Sequence, residues 1–176
     1  MVYRDLKPEN IGFDSQGNVK LFDFGLAKCL HPSLMLESSD DASTLYRLTA
    51  RTGTFPYMAP EVARKLPYNE TCDVFGFAIL LWEMLSLECA FSDIQSRREF
   101  YYRLSIVGER PTVPASWPPR TKELLPQAWA IDCTQRPSFS QVADVLKADM
   151  LDLSTATVSQ PAKPMAEESA RGVVDF

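Results

Sequence analysis

Three oxygen-bearing side chains near the start of the sequence could serve one reaction. Asp5 and Asn10 lie five positions apart in "YRDLKPEN", and Asp23 follows in "LFDFGLAK". Carboxylate and amide oxygens, without histidine or cysteine beside them, favour a hard cation such as Mg²⁺, whose coordination is completed by water and substrate phosphates. The pattern therefore predicts phosphoryl transfer, with these three residues as metal ligands or bases.

Two short strands should hold these residues in place. Residues 11–13 and 19–22 are apolar-rich, and the turn-forming residues 14–18 between them predict a β-hairpin. Asn10 precedes the first strand and Asp23 follows the second. The candidate residues are therefore carried on two loops that flank a hairpin.

Helical patterns dominate the rest of the sequence. Residues 71–87 are apolar nearly all round, which predicts a helix that is buried on every side and forms the core axis. A capping box, formed by Ser138 and the glutamine three residues on, begins a last helix predicted to end at about residue 151. Shorter surface helices are predicted over 99–107 and 122–130.

Composition and charge narrow the class of protein. The chain has 176 residues, of which 45% are hydrophobic, and a net charge of -5, which argues against nucleic acid or an anionic membrane as the main partner. Four separated cysteines and one histidine argue against a disulfide framework or a multi-histidine metal site. Without a leader or a membrane-spanning stretch, the expected location is the cytoplasm or nucleus.

The chain is expected to divide into a domain and a tail. The domain is predicted to cover residues 1–152, and the polar, proline-containing stretch 153–176 is predicted to be disordered. Within the domain, residues 29–51 lack periodicity and predict a long mobile loop of the kind that often carries function.

Five motifs together resemble the carboxy-terminal lobe of the eukaryotic protein kinases. In chain order they are "YRDLKPEN", "LFDFGLAK", "TGTFPYMAPEV", "CDVFGFAILLWEM" and "QRPSF". This resemblance implies a protein-kinase-like α+β fold, in which a mostly α-helical C-lobe carries a small β-hairpin at the catalytic loop and the N-lobe is absent.

The resemblance implies a role for each candidate residue. Asp5 would orient the substrate hydroxyl and accept its proton, and Lys7 would contact the transferred phosphate. Asn10 and Asp23 would hold Mg²⁺, so that Lys7, Asn10 and Asp23 form the site for ATP and its metal. Thr54 would bond to both Asp5 and Lys7 as a third catalytic residue. Ordinary loop, turn and surface roles are the alternatives for these residues.

The resemblance also implies two supporting contacts. Asp73 would hold the backbone of the loop around residues 3–4, the alternative being a simple acid in the first turn of a helix. Glu61 and Arg136 would form a buried ion pair, the alternative being unpaired surface residues. A lone buried charge costs several kcal/mol, so Asp73 must have partners if it is enclosed.

Phosphorylation could regulate the segment between Asp23 and Glu61. We expect a phosphate on Thr49 or Thr52 to order this segment through Arg4, the alternative being an unmodified loop. An upstream activating kinase is among the partners that this hypothesis allows. The hydroxyl residues of the segment are Ser38, Ser39, Ser43, Thr44, Thr49 and Thr52.

Lys7 and Thr54 favour serine/threonine over tyrosine specificity, and "GTFPYMAPEV" with "RPSF" favours the tyrosine-kinase-like branch. A tyrosine kinase is the disfavoured alternative. The substrate would be a protein.

The sequence contains no G-x-G-x-x-G and no V-A-I-K strand. We therefore expect that the missing N-lobe is part of a longer parent protein. The isolated chain should then have very low activity. Loss of packing on the helix at 71–87 would expose a large apolar patch and favour a poorly soluble or molten state. A catalytically inert interaction module is the alternative function.

Overall fold

The computed structural model describes residues 1–36 and 44–158. Their architecture is a helical body with one two-stranded antiparallel sheet at its edge, which confirms the predicted fold class. Short 3₁₀ turns link the elements, and a π-helical segment, Tyr101–Val107, continues α3. The strands are β1 (Ile11–Phe13) and β2 (Val19–Leu21), and the helices are α1 (Pro60–Ala63), α2 (Thr71–Ser86), α3 (Arg97–Phe100), α4 (Pro119–Ala128) and α5 (Phe139–Val158).

The predicted hairpin is confirmed, and its turn explains its register. Asp14 Oδ1 accepts hydrogen bonds from the backbone N–H groups of Gln16 and Asn18, both at 2.9 Å. Gly17 has a φ of 81°, which a residue without Cβ adopts readily. The turn therefore pairs β1 with β2 so that the residue before β1 lies close to the residues after β2.

Helix α2 is the core axis, as the sequence predicts. Its inner positions are enclosed, and Trp82 Nε1 donates a 2.9 Å hydrogen bond to the carbonyl of Thr112. The exposed residues of the helix lie in its last turn, where Met84 is 52% and Leu85 42% exposed. The core residues with the largest side chains among those fully buried are Tyr68, Phe75, Ile79, Leu104 and Leu125.

The expected apolar patch on the 71–87 helix does not extend along its length, because neighbouring helices and loops cover most of α2. Exposed apolar side chains remain at its end, at Met84, Leu85 and Leu87, and a second group lies at the hairpin. Gly76 of α2 packs closely against two neighbouring loops. A Cβ at this position would lie 3.1 Å from the Tyr57 carbonyl oxygen and 3.7 Å from Leu6 Cβ. The exposed side chains at the hairpin are Phe13, Val19, Leu21, Phe22 and Phe24.

The last helix begins as predicted and ends later. The Ser138 backbone N–H donates to Gln141 Oε1 at 2.8 Å, and the Gln141 N–H donates to Ser138 Oγ at 3.3 Å, which is the predicted capping box. Helix α5 continues to Val158, past the predicted end at about residue 151. The division into a domain and a disordered tail stays a prediction. Residues 159–176 lie outside the described part of the chain.

The two predicted surface helices exist with shifted bounds. Helix α3 starts at Arg97, two residues early, because Ser96 Oγ caps it by accepting from the Glu99 N–H at 3.2 Å. Helix α4 starts at Pro119, where the missing proline N–H costs nothing at a first-turn position. Buried Asp149 ties α4 to α5 through the Thr121 hydroxyl, at 2.7 Å.

The predicted long loop at 29–51 contains more order than expected. A short turn at Pro32–Leu34 precedes a bridge between Met35 and Tyr46, and Tyr46 also bridges to Tyr68. Ser38, Ser39 and Ser43 of the predicted phosphorylation segment lie outside the described residues. None of the helices in the described ranges has the length and apolar character needed to cross a lipid bilayer.

Candidate active site

Asp5, Lys7 and Thr54 form one hydrogen-bonded network. Lys7 Nζ donates to Asp5 Oδ2 at 2.8 Å and to Thr54 Oγ1 at 3.0 Å, and Thr54 Oγ1 donates to Asp5 Oδ1 at 2.7 Å. The hydrogen bonds predicted for Thr54 are therefore present, although 47 residues separate it from Lys7. The network fixes the Asp5 carboxylate in one orientation and leaves part of the Lys7 side chain, 21% of it, open to solvent.

Asn10 completes this network. Its amide nitrogen donates to the Asp5 backbone carbonyl at 2.9 Å and to Asp5 Oδ2 at 3.0 Å. Because both bonds use the amide nitrogen, the amide oxygen takes no part in the contacts with Asp5. Asn10 is buried, which holds this orientation.

The hairpin brings Asp23 close to this network. The Phe22 N–H donates to the Asn10 carbonyl at 2.8 Å, so the strand pairing extends past the ends of β1 and β2 and places Asp23 next to that pair. Asp23 has a φ of 51° and accepts the Gly25 N–H on Oδ1 at 3.0 Å. Its side chain is exposed, and Oδ2 makes no hydrogen bond within the described residues.

The donor set fits a magnesium ion. Asn10 and Asp23 offer one amide and one carboxylate oxygen, the hard ligands that Mg²⁺ takes when phosphates and waters complete its coordination. No group of three or more histidine, cysteine, aspartate or glutamate residues that could hold a metal exists in ranges 1–36 and 44–158. Asn10 and Asp23 as the metal ligands stay a prediction.

The local charges set the protonation states of Asp5 and Lys7. Burial raises the pKa of Asp5, but hydrogen bonds from Lys7, Thr54 and Asn10 outweigh it, so the pKa lies below the ordinary value. The hydrogen bond to Asp5 raises the pKa of Lys7 above its ordinary value. Near neutral pH the site therefore holds a carboxylate beside an ammonium group.

Asp73 holds the backbone of the loop around residues 3–4, as predicted. Its carboxylate accepts the backbone N–H groups of Tyr3 and Arg4, both at 2.7 Å, across about 70 residues of sequence. Burial raises the pKa of Asp73, and these two backbone donors oppose that rise. Arg4 has a φ of 73°, and a Cβ on Gly53 would lie 2.3 Å from the Arg4 carbonyl oxygen, so only glycine fits there.

The predicted buried ion pair is confirmed. Arg136 donates through both terminal nitrogens to the two carboxylate oxygens of Glu61, each at 2.7 Å. Arg136 also donates to the carbonyls of Ala130 and Thr71 and lies over the ring of Phe75, 5.2 Å from its centroid. The pair links α1 to the loop that leads into α5.

The surroundings of Arg4 bear on the phosphorylation hypothesis. Arg4 donates to the Leu26 carbonyl at 2.6 Å and to the Tyr68 hydroxyl at 3.2 Å, and Tyr68 donates to the Thr49 carbonyl at 2.7 Å. Thr49 is exposed, whereas Thr52 is half-buried and donates to the Thr49 carbonyl at 3.1 Å. Phosphorylation at Thr49 or Thr52 stays a prediction.

Sequence reasoning missed Tyr68 as part of this region. Tyr68 is fully buried and connects Arg4 to the segment at Thr49 through its hydroxyl. No local motif marks it, since it lies in the irregular stretch between α1 and α2. Only the fold brings it beside Arg4.

Comparison with known proteins gives consistent matches. The family model described as protein kinase domain matches residues 1–146. The chain is 34% identical to serine/threonine-protein kinase STY46 of Arabidopsis thaliana, over 84% of this chain and 23% of that protein. It is 38% identical to serine/threonine-protein kinase VIK of the same plant, over 84% of this chain and 32% of that protein.

A third match comes from another organism. Dual specificity protein kinase shkC of Dictyostelium discoideum is 30% identical, over 90% of this chain and 29% of that protein. The chain therefore spans less than a third of the length of each of these three relatives.

Proposed function

This chain belongs to the protein kinase family, and from that premise we propose that it provides the catalytic loop for phosphoryl transfer from ATP to serine and threonine hydroxyls of protein substrates. The observation that carries the proposal is the network of Asp5, Lys7 and Thr54, with Asn10 and Asp23 beside it. Phosphoryl transfer depends mainly on positioning and charge stabilisation, which such a network can supply.

Asp5 acts on the acceptor hydroxyl in this proposal. Its lowered pKa keeps it ionised, so it can accept a hydrogen bond from the hydroxyl and orient the oxygen towards the phosphoryl group. A positioned base of this kind contributes about 10²–10⁴-fold in rate. Thr54 and Asn10 keep the carboxylate from rotating away.

Lys7, Asn10 and Asp23 act on the phosphate side. The Lys7 ammonium group stays charged, because Asp5 raises its pKa, and can offset negative charge on the transferred group. Asn10 and Asp23 would hold Mg²⁺, which when bound neutralises charge on the phosphates of ATP. The exposed position of Asp23 leaves room for a nucleotide beside it.

Serine/threonine specificity is supported by the Lys7–Thr54 contact and by relatives named as serine/threonine-protein kinases. Relatives named as dual specificity kinases make additional transfer to tyrosine the second candidate. Parallel assays on serine, threonine and tyrosine versions of one peptide separate the two.

We propose that efficient activity belongs to a longer protein. The chain matches less than a third of each reported relative, and its sequence has no glycine-rich G-x-G-x-x-G to cover the phosphates. Without such positioning, the isolated chain should transfer phosphate at least about 10³-fold more slowly than the longer protein. The inert interaction module is the competing function.

The test compares two proteins in two assays. Titration calorimetry measures Mg²⁺–ATP binding, and a peptide assay measures phosphoryl transfer, for the isolated chain and for the longer protein. We expect binding and transfer in the longer protein and their loss in Asp23→Ala, whereas the turn variant Asp14→Asn behaves like the wild type. A longer protein with intact folding and no transfer would favour the inert module.

A further inference from the structure

Exposed arginines line two adjoining clefts beside Thr54. The first cleft has a volume of about 410 Å³ and is lined by Arg51, Phe55, Arg97 and Arg98. The second, of about 400 Å³, shares Arg51, Phe55 and Arg97 and extends to Thr54. We call the two clefts together the arginine groove.

The floor of the arginine groove is preformed. The ring of Phe55 lies 6.2 Å from that of Phe100, which in turn contacts Phe91 at 6.4 Å. The Arg97 guanidinium lies over the Phe55 ring, 5.8 Å from its centroid. Arg51 has a φ of 52°, and its N–H donates to the Val62 carbonyl at 3.0 Å, so its backbone is held in place.

The charges of the groove lack partners of opposite sign. Within residues 1–36 and 44–158, Arg51, Arg97 and Arg98 form no ion pair, whereas Arg103 and Arg120 each bond to two or more carboxylates. The chain as a whole carries a net charge of -5. Three arginines without an ion pair therefore make this cleft a favourable binding place for an anionic ligand, even though the protein as a whole is acidic.

The groove adjoins the candidate active site. Thr54 lines the second cleft and also donates to Asp5 Oδ1 at 2.7 Å. An extended peptide advances about 3.3–3.6 Å per residue, so a substrate whose hydroxyl sits at Asp5 would place its next few side chains along the groove. Side chains that flank the acceptor on one side therefore meet the arginines.

We propose that the arginine groove binds carboxylate or phosphate groups of the substrate close to the acceptor residue. The preferred substrate is an acidic or already phosphorylated peptide segment, and this inference rests on the proposed kinase function. Arginine suits both anions, because its planar guanidinium donates two parallel hydrogen bonds to either group.

Binding of labelled peptides to the chain, followed by fluorescence anisotropy, tests the groove without catalysis. One peptide carries aspartates next to the serine, a second carries the same aspartates at its far end, a third has phosphoserine in place of the near aspartates, and a fourth has glutamine there. We expect the near-acidic or the phosphorylated peptide to bind about tenfold more tightly than the far-acidic isomer. Tighter binding of the phosphorylated peptide alone would identify phosphate as the ligand.

Charge reversal identifies the residues responsible. The double variant Arg51→Glu/Arg97→Glu should lose the preference, whereas Lys147→Glu, a single charge reversal on exposed α5, should keep it. Circular dichroism checks the fold, and the milder Arg51→Gln/Arg97→Gln variant replaces the double reversal if that protein unfolds. Equal binding of all four peptides, or a preference that survives loss of both arginines, overturns the inference.

A kinase assay on the longer protein separates this inference from the proposed function. Transfer to the near-acidic or phosphorylated peptide in preference to the glutamine peptide, lost in the double variant, supports both. Equal transfer to every peptide overturns the groove inference and leaves the kinase function standing. Peptide binding with the expected preference but no transfer to any peptide removes the kinase function and leaves the groove as a binding site.

Discussion

Two cation–carboxylate pairs of similar length lie in different surroundings. Lys7 and Asp5 are 2.8 Å apart at the candidate active site, with side chains 21% and 8% exposed. Arg136 and Glu61 are 2.7 Å apart in the helical body, with side chains 0% and 6% exposed. The first pair shares its carboxylate with Thr54 and Asn10, whereas the second joins a guanidinium to a carboxylate through two parallel hydrogen bonds.

The difference separates a pair available for chemistry from a pair that holds the fold. Lys7 is partly open to solvent and can turn to a phosphate group, because Thr54 and Asn10 still donate hydrogen bonds to the buried Asp5 carboxylate. Arg136 is buried, and its remaining donors bond to backbone carbonyls. Removing either Arg136 or Glu61 should therefore strongly destabilise the fold, because it leaves a buried charge without its partner. Pairs of similar length therefore differ in the free energy lost when they break, because the cation is partly exposed in one pair and fully buried in the other.

Removing Arg136 should have the largest effect. Arg136→Met leaves the Glu61 carboxylate buried without its cation, which should lower the free energy of unfolding by about 3–5 kcal/mol. Chemical denaturation measures this loss. The double variant Arg136→Met/Glu61→Leu should recover much of it, since no charge then remains buried. A double variant as unstable as the single one would show that backbone contacts of Arg136, not its pairing with Glu61, hold this region.

Removing Lys7 should affect the rate more than the fold. In the longer protein, Lys7→Met should lower the rate of phosphoryl transfer by about 10²–10³-fold, because a charged donor to the phosphate is lost. The free energy of unfolding should fall less than in Arg136→Met, because the buried Asp5 carboxylate keeps its hydrogen bonds from Thr54 and Asn10.

Lys20 offers the matched control for Lys7. It pairs with Asp14 at 3.4 Å in the hairpin, and its side chain is 53% exposed. Lys20→Met should leave both transfer rate and stability close to the wild-type values. Equal losses of activity in the two variants would show that loss of a positive charge at either position lowers the transfer rate. That result would contradict the specific role proposed for Lys7.

The smallest effect should be seen in the titration of Asp5. Because its pKa in the folded protein is lowered, Asp5 contributes stability that is present above its ordinary pKa of 3.8 and is lost as the pH falls through the lower folded value. Thr54→Val removes one donor and should raise the folded pKa of Asp5 towards 3.8, so that its contribution to stability becomes smaller and the loss is complete at a higher pH. Carbon-detected NMR titration of the Asp5 carboxyl measures the change.

Thr52→Val is the control for that titration. The Thr52 hydroxyl donates to backbone carbonyls of its own segment and not to Asp5. The pKa of Asp5 should therefore stay at its wild-type value in this variant. A pKa that is unchanged in Thr54→Val as well would mean that Lys7 and Asn10 alone set it.

Features defined by short sequence spacing were predictable. The hairpin follows from a turn-forming stretch between two apolar runs, and the capping box from Ser138 and Gln141 three residues apart. The candidate site residues Asp5, Lys7 and Asn10 were identified because they lie within one short loop. The extent of α5 was not predictable, because helix formation continues past Leu151 into a stretch whose polar composition suggested disorder.

The tertiary structure alone decided which distant residues meet and which apolar surface is covered. Thr54 reaches Asp5 across 49 residues, and Arg51 and Arg97 share a groove although 46 positions separate them. Composition and periodicity describe a segment and its own neighbours, whereas burial depends on every segment packed around it. The sequence by itself therefore determined the chemical groups and the local elements, and the fold decided their contacts, because long-range packing sets distance and burial.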